Sequence, residues 1–92
     1  MKIKNLLIDP SKWIQQDDAA DSMGLSTSPN SPNAICWCLN GAAIRCYGEN
    51  QEILMDILNR ISTEVHKSVV DWNDDDTRTF DEVKQLIEKL DI

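Results

Sequence analysis

The chain has 92 residues, 41% of them hydrophobic and 27% charged, which is ordinary globular composition with room for one domain and no second core. Its formal net charge is -7, and the imbalance is one-sided: residues 1–48 hold four acids and four bases, residues 49–92 twelve acids and five bases. An acidic half repels phosphate backbones, so direct nucleic-acid binding is not expected and a protein partner with a basic surface is.

Lys2 to Ile8 is apolar at Ile3, Leu6 and Leu7 and ends at Asp9-Pro10, which predicts one or two helical turns. The stretch from Trp13 to Asp21 is mixed in pattern, and Ser22-Met23-Gly24 closes it. A short strand or hairpin around Trp13-Ile14-Gln15 competes there with a helix. Residues 26–33 carry no charge and no large apolar side chain, the composition of an exposed loop. Ser31 and Pro32 suit the cap and first position of a helix.

That helix, read over Pro32 to Tyr47, is expected to be the centre of the fold. At about 100° per residue, Ile35, Cys38, Leu39, Ala42 and Cys46 share one face and Trp37, Gly41 and Ile44 the other. A helix apolar on both sides is packed on both sides, with Gly41 and Ala42 admitting a close neighbour and Gly48 ending it.

Asn50 can cap the next helix, in which Ile53, Leu54, Ile57, Leu58, Ile61 and Val65 recur at three and four residues and Asp56 and Arg60 lie on the wet side. The final helix opens on a capping box, Thr79 with Glu82. Phe80, Val83, Leu86, Ile87 and Leu90 form its buried stripe. Residues 66–78 between them read as a long acidic loop with Trp72 as its anchor. The expected fold is therefore mainly α: a single domain, residues 1–92, of three principal helices around a central buried helix, preceded by a short N-terminal hairpin or helix. Apolar runs are short, and Met1-Lys2-Ile3-Lys4 opens no signal-peptide segment, so a cytoplasmic protein with no membrane contact is expected.

Trp13 with the acids after it and Gly24, then Trp37-Cys38-x-x-Gly41-Ala42, then Trp72-Asn73-Asp74 followed by Arg78-Thr79 and Glu82-Val83, resembles a family of small uncharacterised proteins found in bacteria and phages. The resemblance runs from Trp13 to the last helix. It implies a mostly helical domain without an assigned activity, in which Trp13, Trp37, Cys38, Gly41, Ala42, Trp72, Asn73, Thr79 and Glu82 are structural. The phage association implies a protein that acts on host machinery.

Three chemistries are open to these residues by type. Cys38 as a nucleophile lacks a base, because His66 is the only histidine. Cys36, Cys38, Cys46 and His66 equal a zinc set in number, yet a Cys-x-Cys pair on a helix points apart; reduced, packed thiols are expected, with no metal and no cofactor. The third is calcium. Asp71, Asn73, Asp75, Thr77, Thr79 and Glu82 have the spacing of an EF-hand loop, but Asp76 stands where the sharp turn wants glycine and no incoming helix precedes it. No catalytic constellation or phosphate-cradling loop is present, so a non-enzymatic role is expected. The first reading is an acidic interaction protein, in the manner of a phage or prophage inhibitor, binding through Asp56, Asp71, Asp74, Asp75, Asp76 and Asp81. The alternative is a small metal- or ligand-binding domain using residues 71–82.

Overall fold

The computed structural model describes all 92 residues. Ile3–Leu6 form one helical turn, α1, and a 3-10 turn follows at Pro10–Lys12, capped by the Asp9 carboxylate. The chain then runs extended through Trp13, which bridges Trp37 in parallel. A two-stranded antiparallel sheet joins β1 (Ala19–Ala20) to β2 (Cys36–Trp37), with Ala19 opposite Trp37 and Ala20 opposite Cys36. Ser26 pairs with the outer side of Ala20. Four short segments thus lie side by side where a hairpin or helix was expected.

The helix expected from Pro32 starts seven residues later. It is α2, Leu39–Tyr47, and Cys38 is its cap. Residues 32–38 do not wind because their backbone groups are engaged elsewhere: Ile35 N–H donates to the Ala20 carbonyl at 2.9 Å and Cys38 N–H to the Asp18 carbonyl at 3.2 Å. Ser31 closes only a local turn, its hydroxyl accepting from Asn33 N–H at 3.1 Å. The apolar alternation of Cys36, Trp37 and Cys38 belongs to an extended segment whose side chains are buried on both faces. Gly48 ends α2 in a right-handed conformation, φ -66°, so no left-handed cap is used.

Residues 26–33 keep mostly exposed side chains, but their carbonyls are tied down. Arg45 donates from Nη1 to the Pro29 and Ser31 carbonyls, each at 2.9 Å, and lies 5.4 Å from the centre of the Trp37 ring. Trp37 Nε1–H also reaches the Pro29 carbonyl, at 3.0 Å. One ring and one guanidinium hold the loop against α2.

Asn50 caps α3 (Gln51–Val65), its Oδ1 accepting from Glu52 and Ile53 amides. Leu54, Ile57 and Ile61 are buried, whereas Ile53, expected in the same stripe, is 48% exposed. His66 ends α3 left-handed at φ 62°. The expected loop 66–78 is not all loop: Ser68 caps a further short helix, α4 (Val69–Asn73), by accepting from Asp71 N–H at 3.1 Å. The last helix, α5 (Phe80–Leu90), opens on the capping box of Thr79 and Glu82 and buries Val83, Leu86 and Ile87.

The fold is a mainly helical domain in which α2 touches α1, α3 and α4 and the core includes Ile3, Leu39, Ala42, Ile61 and Ile87. Its ends meet. Ile92 is fully buried; its carbonyl accepts from Ile3 N–H and, at 2.9 Å, from the Tyr47 hydroxyl. Lys4 and Lys2 hold the Asp91 carboxylate at 2.5 and 2.9 Å and keep its pKa down at about 2.

Gly41 is where the sheet edge meets α2. A Cβ placed there would lie 1.8 Å from the Asp18 carbonyl oxygen, an atom of the backbone that cannot swing aside. Gly41→Ala therefore forces Asp18 and β1 away from α2. Alanine's better helix propensity returns about 1 kcal/mol, and the steric clash costs about 1–3 kcal/mol or more, so the variant should unfold at a lower urea midpoint than the parent. An unchanged midpoint would mean that the β1 to α2 contact is soft.

Candidate functional site

Asn73 is the only polar side chain in the fully buried set, and every hydrogen-bonding position it has is filled. Its Oδ1 accepts from Trp13 Nε1–H at 2.7 Å and from Leu39 N–H at 3.0 Å. Its Nδ2 donates to the Ile14 carbonyl at 3.2 Å and to Asp74 Oδ1 at 3.0 Å. Leu39 is the first residue of α2, so its amide is one of those a helix leaves without an internal partner. Asn73 thus ties the extended Trp13-Ile14 segment, the start of α2 and the end of α4 to one side chain. The expectation that Trp72 anchors this region is corrected accordingly: Asn73 is the anchor. Trp72 is half-buried, and Arg78 stacks on it, the guanidinium carbon 3.9 Å from the ring centre.

The same bonds bring Gln15 and Gln16 over α4. Gln15 Nε2 donates to the Asn73 and Asp75 carbonyls at 2.9 and 2.8 Å, and Gln16 N–H to Asp74 Oδ1 at 2.9 Å. Gln16 adopts φ 75°, a left-handed conformation uncommon for glutamine, which its neighbours impose. The result is a cleft of about 280 Å³ lined by Gln16, Asp17, Asp18, Cys38, Val70 and Asp74. Asp17 and Asp18, from the half of the chain with balanced charge, stand with Asp74 from the acidic half. Sequence reasoning missed this. No local signal marks Asp17 and Asp18 out, since what makes them part of a site is the placement of Trp13 and Ile14 on Asn73.

Cys38 lies at the inner wall. Its thiol donates to Asp18 Oδ1 at 3.6 Å and its sulfur accepts from Gly41 N–H at 3.2 Å, which makes it the cap of α2 as well as a buried side chain. Burial and the nearby Asp18 charge push the thiol up to about 11, the opposite of what a nucleophile at neutral pH needs. Cys36 lies on β2 and Cys46 in α2, and all three thiols are free.

The acids named as partner-binding fall into three places. Asp71, Asp74, Asp75 and Asp76 lie in and just after α4; Asp81 is in the first turn of α5; Asp56 is on the exposed side of α3. Only Asp74 reaches the cleft. None of the six is ion-paired, the ion-paired acids being Glu64, Glu82 and Asp91. Asp75 Oδ1 accepts from Thr77 N–H and Oγ1–H, and the first-named contact is the main cause of its lowered pKa. The calcium-loop spacing of residues 71–82 is not brought to one point. Asn73 faces the core, and Glu82 is taken by the Thr79 amide at 3.0 Å and by Arg78 at 2.9 Å.

Asn73→Ala leaves Trp13 Nε1–H, Leu39 N–H and the Ile14 carbonyl without partners, each at about 1–3 kcal/mol when buried. A loss of about 3–5 kcal/mol in urea unfolding is expected, with Trp13 fluorescence shifted to the red. Cys38 separates cap from packing. Cys38→Ser supplies an oxygen that can accept from Gly41 and donate to Asp18, so its stability should stay within about 1 kcal/mol of the parent, whereas Cys38→Ala should lose about 1 kcal/mol. Equal loss in both variants would make the thiol a packing group only.

No curated protein and no solved structure matches the chain. Residues 2–90, which include the Asn73 junction and the whole of the acidic cleft, match the family of unknown function DUF6197, and the chain belongs to that family.

Proposed function

We propose that this is a non-enzymatic interaction protein that binds a protein partner through its acidic surface. The observation that carries the reading is the open charge around α4: Asp17, Asp18, Asp71, Asp74, Asp75 and Asp76 come from two distant parts of the chain and have no ion-pair partner. Uncompensated like charge gathered on one side costs stability. It also raises the rate and specificity of association with a basic surface. The chemistry at Cys38 supports the same reading, because a thiol held protonated and used as a helix cap is not a catalytic group.

A partner whose basic surface normally holds nucleic acid would meet here carboxylates in place of phosphates. Inhibition of a nucleic-acid-handling or defence protein, by a product of phage or prophage, is the finer form of this proposal. No helix is long and apolar enough to cross a membrane, so a membrane-spanning helix has no part in it.

The test uses Asp71→Lys with Asp76→Lys, two exposed positions whose side chains make no hydrogen bond within the protein. After circular dichroism confirms folding, immobilised parent and variant are exposed to host-cell extract at low and high salt. The parent should retain a basic protein, identified by mass spectrometry, at low salt only, and the variant should retain several-fold less of it. Equal, salt-insensitive retention by both proteins would remove the electrostatic proposal.

A further inference from the structure

Val70 is an apolar residue left 45% exposed on α4, and it belongs to two hollows at once. On one side lies the acidic cleft with Asp17, Asp18 and Asp74. On the other lies a second hollow of about 290 Å³ between α3 and α4, its apolar surface supplied by Leu58, Val69 and Val70 and its rim by small polar side chains such as Ser62. The two are joined along one wall as well. Asn40 lines the apolar hollow and donates through Nδ2 to Asp18 Oδ1 at 3.1 Å in the acidic one. Taken as one furrow across α4, the two hollows flanking Val70 are acidic on one side and apolar on the other, and neither is lined by lysine, arginine or histidine.

The acidic end is ordered in a particular way. Asp17, Asp18 and Asp74 each have Oδ1 engaged within the protein: by the Ser26 hydroxyl, by Asn40 and Cys38, and by Gln16 N–H with Asn73 Nδ2. Each Oδ2 makes no hydrogen bond to the protein. The carboxylates are thus fixed in direction and keep one oxygen apiece for an incoming donor. A guanidinium, planar and carrying five N–H groups, fits several fixed oxygens better than an ammonium, and it is weakly hydrated enough to lie beside an apolar wall. Phosphate is repelled. The neighbouring apolar end asks for an aliphatic side chain on the same ligand.

We infer that the furrow across α4 is the docking site for a segment of a protein partner that places an arginine in the acidic end and an aliphatic side chain against Leu58, Val69 and Val70. This rests on the reading of the protein as an acidic interaction protein and gives that reading a location and a ligand chemistry. Charge complementarity selects the basic residue, and the shared Val70 wall sets the two anchors close together in the partner's chain.

The experiment is a titration of the isotope-labelled protein by two-dimensional NMR with three blocked dipeptide amides: acetyl-Leu-Arg, acetyl-Gly-Arg and acetyl-Leu-Glu. Acetyl-Leu-Arg should move the amides of Asp18, Asn40, Val70 and Asp74 along one saturable curve. Acetyl-Gly-Arg should bind about tenfold more weakly, for want of one buried aliphatic side chain, and acetyl-Leu-Glu should not bind. Asp17→Asn and Val70→Ser, both at surface positions and both expected to keep the parent's dispersed spectrum, should each weaken acetyl-Leu-Arg severalfold. Shifts spread evenly over Asp56, Asp76 and Asp81, or equal response to all three peptides, would overturn the inference. So would the same amides moving with calcium chloride alone, or with protein concentration alone, which would make the occupant a bare cation or a second copy of the chain. If the furrow fails in these ways while the charge-reversed variant still loses a basic partner, the docking site is wrong and the acidic interaction protein stands; if partner retention is also salt-insensitive, both fall.

Discussion

The extended Trp13-Ile14 segment and the head of α2 are both positioned by the side chain of Asn73. A buried amide is stable only when its two donors and its acceptor are matched, and here the matching groups come from three parts of the chain: an indole N–H and a carbonyl from the Trp13-Ile14 segment, the free amide at the head of α2, and the neighbouring Asp74 carboxylate. Leucine at this position would fill the space and hold none of them. The short strands β1 and β2 are too small to determine their own register, and with Asn73 in place they do not have to. Ile14 N–H pairs with the Trp37 carbonyl at 3.1 Å because Ile14 is already held from the other side.

Gly41 is the second constraint, and it acts in the opposite sense. Asn73 pulls the extended segment onto the helices by hydrogen bonds, whereas Gly41 removes the atoms that would keep β1 away. Between them the Asp18 carbonyl settles against α2 and the Asp18 side chain turns outward beside Cys38. That is how an acid from the charge-balanced half enters the acidic surface. The electrostatic character of the protein is therefore a product of packing as well as composition: distant carboxylates are brought together by a neutral junction that lies beneath them.

The parts of the fold legible in the sequence are those whose information is local. Asn50 and the pair of Thr79 and Glu82 announce α3 and α5 within three residues of each helix start, and the stripes Leu54, Ile57, Ile61 and Val83, Leu86, Ile87 complete them. Over Ile35 to Cys38 the same reasoning fails, because a short apolar run suits helix and strand equally. The deciding partners, Ala19 and Ala20, lie far upstream. Cys36 Sγ reaches the Ala20 carbonyl across 16 positions. The cleft is hidden for the same reason. Trp13 and Asn73 are 60 positions apart, and neither Gln16 nor Asp17 differs locally from any polar turn. Trp72 was the conspicuous residue in its motif, being large and aromatic, while the smaller amide beside it makes the contacts.

The closure of the two ends has a consequence for how the domain comes into being. Lys4 and Asp91 are joined across 87 positions, and the buried turn of α1 rests on Ile92 and Tyr47. Contacts of such long range contribute nothing until both partners exist, and they slow the search for the native state. During synthesis, residues 1–12 emerge well before Asp91 and Ile92 and until then lack the surface against which α1 is buried. The helices α3 and α5 carry their own caps and can form as they appear, while α1 waits for residue 92 to leave the ribosome. Residues 2–4 lack their partners until Asp91 and Ile92 arrive, so α1 is the element most open to proteases and chaperones in the interval.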